Sequence, residues 1–266
     1  MSNIRMVVSD LDGTLLDDSH ELDGGLVRRI QGFTEAGGLF TIATGRNWRA
    51  AKDIVQRLAI RLPVILCNGA ILADEKEIYY RSDMPVGSMK GLFLDAQSAG
   101  LSVLLFEHDT VRGFGSGAGL ERFREKEKTP VEPVDPGDAF FGGRGILKAV
   151  LVGPFDKSAA LWRKHETDFS GEYSCVQSES DFFEIVKQGE NKGRTMLKLA
   201  ERLGVSPEEI LAIGNHMNDK EMISAAGVGA AVSDCAADLR PYADFLCRQP
   251  TGAGVMEALD QFCAAL

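Results

Sequence analysis

The stretch Arg5-Met6-Val7-Val8-Ser9 is short, apolar and rich in Val, and it breaks abruptly into Asp10-Leu11-Asp12-Gly13-Thr14. A buried parallel strand runs into a loop in this way, so the first strand delivers two carboxylates at its C-terminal end. The pattern then repeats. A helix is predicted over 22–36, with Leu22, Leu26, Ile30 and Phe33 at helical spacing and Gly37-Gly38 as its stop. A strand over 39–43 ends at Thr44-Gly45-Arg46, a helix over 48–58 follows, and a strand over 64–66 ends at Cys67-Asn68-Gly69. Strands that alternate with helices and end in polar or glycine-rich loops on one side describe an α/β fold with a Rossmann-like, doubly wound parallel sheet.

The texture changes from about residue 84 to 187, where Gly- and Pro-containing stretches separate strands at 101–107 and 146–152 and a helix near 157–168. Two strands around 173–186, separated by Glu179-Ser180-Asp181, read as a hairpin. After Lys187 the βαβ rhythm resumes, with helices over 192–203, 220–226, 236–242 and 255–262 and strands at 210–213, 228–232 and 245–247. Ser206-Pro207-Glu208-Glu209 offers an N-cap, a proline at the first helical position and a capping-box glutamate. The expected organisation is one core made of 1–83 and 188–266, with an α+β domain at 84–187 inserted into it.

Composition narrows the partners. With 29 Lys+Arg against 39 Asp+Glu the 266-residue chain carries a net charge of −10, which argues against nucleic acid, whose binding requires a basic face. Anionic membranes fall with it, and no apolar run approaches the ~20 residues of a membrane span. The N-terminus reaches acidic residues too early for a signal peptide. Five widely spaced cysteines without a C-x-x-C pair fit free thiols in a reducing cytosol. A cytoplasmic protein without an obligate protein partner is expected.

The sharpest chemical signal is Asp10-x-Asp12. Two carboxylates one residue apart beyond a strand end can divide labour, one attacking as a nucleophile and the other giving and taking protons. Asp-Gly also closes ordinary Asx turns, but this one stands with other motifs. Asp10-x-Asp12-Gly13-Thr14-Leu15, Thr44-Gly45-Arg46, Asn191-Lys192-Gly193 and Gly214-Asn215-x-x-Asn218-Asp219 together resemble the motifs of the haloacid dehalogenase superfamily. More narrowly, the chain resembles the Cof-type phosphatases, with an insert similar to their C2B-type cap.

The resemblance implies a phosphatase of small phosphorylated metabolites, sugar phosphates foremost, with the cap closing over the substrate. Asp10 would take the phosphoryl group and Asp12 would act as general acid and base. Leu11, Thr44, Gly45, Lys192 and Asn218 would bind phosphate. The metal would be Mg²⁺, held by Asp10, Asp12, Asn215 and Asp219. Asp12 itself favours phosphoryl transfer over dehalogenation, because a departing halide needs no proton.

The sequence departs from the family pattern where Asn215 stands for the usual Asp, which removes a charge from the metal site, and where Ser233-Asp234 replaces Gly-Asn. Two alternatives stay open, a phosphomutase and a phosphometabolite-binding or regulatory protein whose catalysis Asn215 has weakened. Four other features carry blander expectations: His216 as a partly exposed loop residue, 113–119 as a flexible glycine loop, 121–128 as a solvated helix face, and Cys67 as a core thiol.

Overall fold

The computed structural model describes residues 4–17, 19–127, 129–142, 145–169, 171–179 and 181–263. In chain order the elements begin with β1 (Met6–Ser9), α1 (Gly24–Glu35), β2 (Leu39–Ile42), α2 (Trp48–Arg57), β3 (Val64–Leu66), β4 (Ile71–Ala73) and β5 (Ile78–Arg81). The middle of the chain forms β6 (Met84–Pro85), α3 (Lys90–Ser98), β7 (Ser102–Phe106), β8 (Val111–Gly115), α4 (Gly117–Glu127), β9 (Val131–Pro133) and α5 (Asp138–Phe141). It continues with β10 (Gly145–Ile146), β11 (Lys148–Val152), α6 (Phe155–His165), β12 (Tyr173–Glu179) and β13 (Phe182–Lys187). The last part holds α7 (Lys192–Leu203), β14 (Ile210–Gly214), α8 (Lys220–Ala225), β15 (Val228–Ala231), β16 (Phe245–Leu246) and α9 (Thr251–Phe262).

The chain divides into two compact units, one made of Met1–Gly45, Lys52–Tyr80 and Asn191–Leu266, the other of Arg46–Ala51 and Arg81–Glu190. The first unit is built on a parallel sheet in the order β16-β15-β14-β1-β2. Its inner strand β1 is buried throughout, which is why it reads as a continuous apolar run rather than an alternating one. Met6, Val8, Ile210 and Ala212 share a cluster with Met196, Leu199 and Met222 of α7 and α8, so those helices cover one face. On α1, Arg29 donates to the carbonyls of Leu259 and Cys263 at 2.9 and 2.7 Å and ties that helix to the end of α9. Asp23 caps α1 by accepting the amides of Gly25 and Leu26.

Register fixes where the loops emerge. Ser9 pairs with both Ile213 and Ile42, so the next residues along the three strands leave the sheet at the same level. The third strand meets this sheet through one bridge, Ala43 to Ile65, and then turns back antiparallel through β4 and β5, a meander the apolar pattern did not announce.

The second unit carries a six-stranded sheet in the order β12-β13-β11-β7-β8-β9. Val103, Leu105, Ala149, Leu151, Phe183 and Ile185 from one face form a core with Leu92, Phe93 and Ala96 of α3. The hairpin read near Tyr173 is the antiparallel pair β12 and β13, with Ser180 of its turn outside the described residues. Lys128, at the end of the expected solvated helix face, also lies outside them.

Two sequence expectations need correction. Residues 113–119 are the end of β8 and the start of α4 rather than a flexible loop. A side chain at Gly113 would meet Val131, Leu120 and Leu104 at 2.7–3.0 Å, so the glycine lets the strand pack closely and does not loosen it. The helix expected over 236–242 is a 3-10 segment, Ala237–Tyr242, containing Pro241, which cannot donate to an α-helical ladder. All five cysteines are free thiols, and only Cys175 is exposed. Among the described residues no helix is long and apolar enough to cross a membrane.

Candidate active site

Asp10 is the first residue past β1, and its amide still donates to the Ile213 carbonyl at 2.8 Å, which pins the backbone at the sheet edge. The Leu11 carbonyl then accepts the amides of Leu15 and Leu16 at 3.0 and 2.9 Å and curls the chain over the strand end. This turn requires Gly13. Its φ is +73°, and an added Cβ would lie 2.2 Å from Asn215 Nδ2, so both the conformation and the contact exclude a side chain.

The Asp10 carboxylate is 5% exposed. Oδ2 accepts from Thr14 Oγ1 at 3.1 Å, and Oδ1 accepts from Lys192 Nζ at 2.5 Å. Lys192 is fully buried at the first position of α7, where Asn191 Oδ1 accepts the Arg194 amide at 2.8 Å and caps the helix. Nζ donates a second bond, to Asp219 Oδ1 at 2.7 Å. The other Asp219 oxygen accepts the amides of Asn215 and His216 at 2.9 and 3.1 Å, so Asp219 shapes the loop after β14 while it binds the lysine.

The electrostatics follow from this packing. Burial and the neighbouring Asp219 push the Asp10 pKa up to about 7 against the pull of Lys192. Burial would lower the Lys192 pKa, but Asp10 and Asp219 outweigh it and hold the ammonium charged. Asp12 differs from Asp10, since its side chain is 40% exposed and lies 3.5 Å from His20 Nδ1.

The remaining expected residues gather on the same edge. Thr44 is fully buried, with its amide on the Ile65 carbonyl at 2.9 Å and its carbonyl accepting the Asn68 amide at 3.0 Å. Gly45 and Asn218 are partly buried, and His216 is exposed as expected. Asn218 Nδ2 donates to Asn68 Oδ1 at 3.2 Å. Asn215 is 8% exposed and presses on the Gly13 turn.

Sequence reasoning passed over three contributors. Thr14 binds Asp10 directly, and its position inside the Asp10-to-Thr14 motif was the available signal. Asn68 accepts from Asn218 because Cys67 and Asn68 adopt left-handed φ values of 50° and 56°, a strain that the following Asn-Gly hinted at. His20, with φ 60°, is set beside Asp12 by a turn in which Asp17 Oδ1 accepts from the Ser19 amide and hydroxyl at 2.9 and 2.6 Å.

A buried lysine between two aspartates, with a more exposed carboxylate beside them at the C-terminal edge of a parallel sheet, is an arrangement for handling an anionic group. The family model of haloacid dehalogenase-like hydrolases matches residues 7–259. The chain belongs to the haloacid dehalogenase-like hydrolases. This hydrolase is 25% identical to phosphatase YwpJ of Bacillus subtilis over 268 residues, covering 91% of this chain and 93% of that protein. It is 28% identical to pyridoxal phosphate phosphatase YbhA of Escherichia coli over 242 residues, covering 86% and 88%. Its fold superposes on a solved sugar phosphatase of subclass IIB with a TM-score of 0.84 at 17% identity, covering 97% and 99%. The hydrolase is a Cof-type phosphatase, a phosphoric monoester hydrolase with a Rossmann-like core.

The donors near Asp10 suit a hard cation in charge more than in number. Asp10, Asp12 and Asp219 stand against the cation Lys192, so carboxylates outnumber the positive charge beside them. Among the described residues no group of three or more His, Cys, Asp or Glu side chains is arranged to hold a metal. Mg²⁺, however, accepts carbonyl and amide oxygens beside one or two carboxylates. The Asp12 backbone and the Asn215 side chain carry such oxygens.

Proposed function

We propose that this phosphatase hydrolyses small phosphorylated metabolites, sugar phosphates foremost, through an aspartyl-phosphate on Asp10. The observation that carries the reading is the buried Lys192 held between Asp10 and Asp219, which leaves Asp10 desolvated and aimed by its partners. An Asp10 oxygen attacks phosphorus, the ester bond breaks, and Asp12 gives its proton to the departing oxygen. Water then attacks the aspartyl-phosphate while Asp12 takes its proton, and inorganic phosphate leaves. The exposure of Asp12 allows it to meet both the leaving group and water.

The Thr44 hydroxyl and the Leu11 and Gly45 amides hold phosphate oxygens, Lys192 supplies positive charge, and Asn218 orients the group through Asn68. The Asp10 carboxylate, the Asp12 carbonyl and the Asn215 side-chain oxygen would hold Mg²⁺, which supplies charge that offsets repulsion between Asp10 and the phosphate. In this reading 1–83 and 188–266 are the catalytic core and 84–187 the C2B-type cap. The activities of the relatives, on pyridoxal phosphate and on sugar phosphates, support a phosphorylated metabolite as substrate.

The test is p-nitrophenyl phosphate hydrolysis with and without Mg²⁺. Asp10→Asn is expected to abolish turnover, and Asp12→Asn to release one equivalent of p-nitrophenol in a burst and then stall, because the activated leaving group needs no proton while the water does. Turnover surviving in Asp10→Asn would sink the nucleophile assignment. The neutral Asn215 favours a second reading, a weakened phosphometabolite-binding protein, and Mg²⁺-dependent turnover that appears only in Asn215→Asp would select it.

A further inference from the structure

His20 Nδ1 lies 3.5 Å from Asp12 Oδ1, with the two side chains 28% and 40% exposed. The local chain holds the ring there. Leu15 and Leu16 are buried, a backbone bridge pairs Leu16 with Asp12, and Leu22 is buried further along, so the chain is anchored on both sides of His20. The His20 amide donates to the Asp17 carbonyl at 2.9 Å. Asp17 Oδ1 accepts the Ser19 amide, the Ser19 hydroxyl and the Glu21 amide at 2.9, 2.6 and 3.2 Å. Asp17 thus clasps the residues on either side of His20, and the imidazole between them stands at Asp12.

The conformation this requires is unfavourable in itself. His20 adopts φ 60°, a left-handed region that costs free energy in any residue but glycine, and a contact between groups this exposed adds little to stability. Strain of this kind collects where the position of a side chain matters to chemistry.

We propose that His20 is a positioning residue for Asp12: its Nδ1–H holds Oδ1, so that Oδ2 is the oxygen that carries the transferred proton. The proposal rests on the phosphatase reading above, in which Asp12 gives a proton to the leaving oxygen and then takes one from water. An exposed carboxyl turns about its Cβ–Cγ bond and offers either oxygen. Fixed at one oxygen, it presents the other in a single direction, and orientation of the reacting group raises the rate. The carboxylate in turn selects the imidazole tautomer with its hydrogen on Nδ1. His20 keeps that hydrogen in both steps, while the transferred proton leaves Oδ2 for the ester oxygen and returns to Oδ2 from water. The contact is longer than a hydrogen bond of full strength, and catalytic hydrogen bonds often reach that strength only around bound substrate.

The test compares two esters that need the acid to different degrees. Phenolate is a poor leaving group that gains from a proton, whereas p-nitrophenolate departs without one. The kcat/KM for phenyl phosphate divided by that for p-nitrophenyl phosphate therefore measures the help Asp12 gives in forming the aspartyl-phosphate. His20→Gly keeps the left-handed turn and removes the imidazole, and is expected to lower this ratio, measured with Mg²⁺, about tenfold. His20→Asn also enters the left-handed region and supplies a donor amide, so its ratio should return most of the way to wild type. His20→Asp has the shape of asparagine without an N–H and should stay as low as His20→Gly. A ratio unchanged in His20→Gly, or one that is the same in His20→Asn and His20→Asp, overturns the role, because the ring then serves only the turn. The phosphatase reading fails separately. A wild type that cleaves neither ester, or turnover that survives Asp10→Asn, removes the reaction in which Asp12 acts and the role of His20 with it.

Discussion

Lys192 Nζ stands 2.5 Å from Asp10 Oδ1 although the two residues are 182 positions apart. Both are buried, and Asp219 is the second partner of the same nitrogen. Removing a buried cation leaves its carboxylates uncompensated, which costs about 3–5 kcal/mol in comparable sites. Lys192→Met is therefore expected to lower the unfolding free energy by about that amount at pH 7.5 in urea titrations and to abolish turnover. Adding Asp219→Asn should restore part of the stability but no activity. A double variant no more stable than Lys192→Met would show that Asp219 is not paired through the lysine.

The raised pKa of Asp10 makes the metal-free protein sensitive to pH. Asp10 titrates near 3.8 unfolded and near 7 folded, so the folded state binds its proton more tightly. The stability this contributes is fully present below about pH 4 and is lost as pH rises through about 7. With a chelator present, Asp10→Asn removes the titration, so its stability relative to wild type is expected to climb between pH 4 and 7 and level off above. The climb should be on the order of a few kcal/mol, or several degrees in melting temperature. Lys192 loses a partner in this variant, which adds an offset but no slope, so the slope is the quantity to measure. A difference flat across this range would refute a raised pKa at Asp10.

Much of this site was legible because parallel strands buried on both faces read as apolar runs, and their ends are where ligands meet such sheets. Asp10, Thr44 and Asn215 all follow closely on strands in register at Ser9, Ile42 and Ile213. What stayed hidden depends on residues distant in sequence or on local backbone conformation. The two roles of Asp219 require α7 to present Lys192 to the loop after β14. Asn68 reaches Asn218 only through a left-handed turn, and Gly113 looks like a loop residue until Leu120 and Val131 are placed against it. Strand β5 is partly exposed along its length, so it never showed the apolar run by which β1 was found.

Asn215 is the neutral residue among these carboxylates, and both Asp219 oxygens are already hydrogen-bonded. Asp10 is then the one charged ligand in the proposed set, since Asp12 offers its backbone carbonyl and Asn215 a neutral amide oxygen. Asn215→Asp adds a carboxylate of nearly the same shape and is expected to lower the Mg²⁺ concentration for half-maximal activity about tenfold, a change near 1.4 kcal/mol. In the metal-free protein the same substitution adds a carboxylate to the loop whose amides Asp219 already holds, so the melting temperature in chelator should fall while that in excess Mg²⁺ rises. If the two melting temperatures move together, residue 215 does not contact the ion.

Gly13 is where backbone conformation and metal site meet, and two separable effects act there. An alanine at φ +73° costs on the order of 1 kcal/mol from conformation alone, and its Cβ would also sit 2.2 Å from Asn215 Nδ2, which forces one of the two chains to move. Gly13→Ala is therefore expected to lose more than the conformational part, about 2–4 kcal/mol in total, and at least 100-fold in kcat/KM because Asp12 and Thr14 flank it. Asn215→Ala in the same chain removes the clashing amide but leaves φ unchanged. The double variant should recover all but about 1 kcal/mol of the stability, while activity stays low because the oxygen of residue 215 is gone. Equal stability losses in the single and double variants would mean that the strain at φ is the whole cost and that the contact with Asn215 carries none of it.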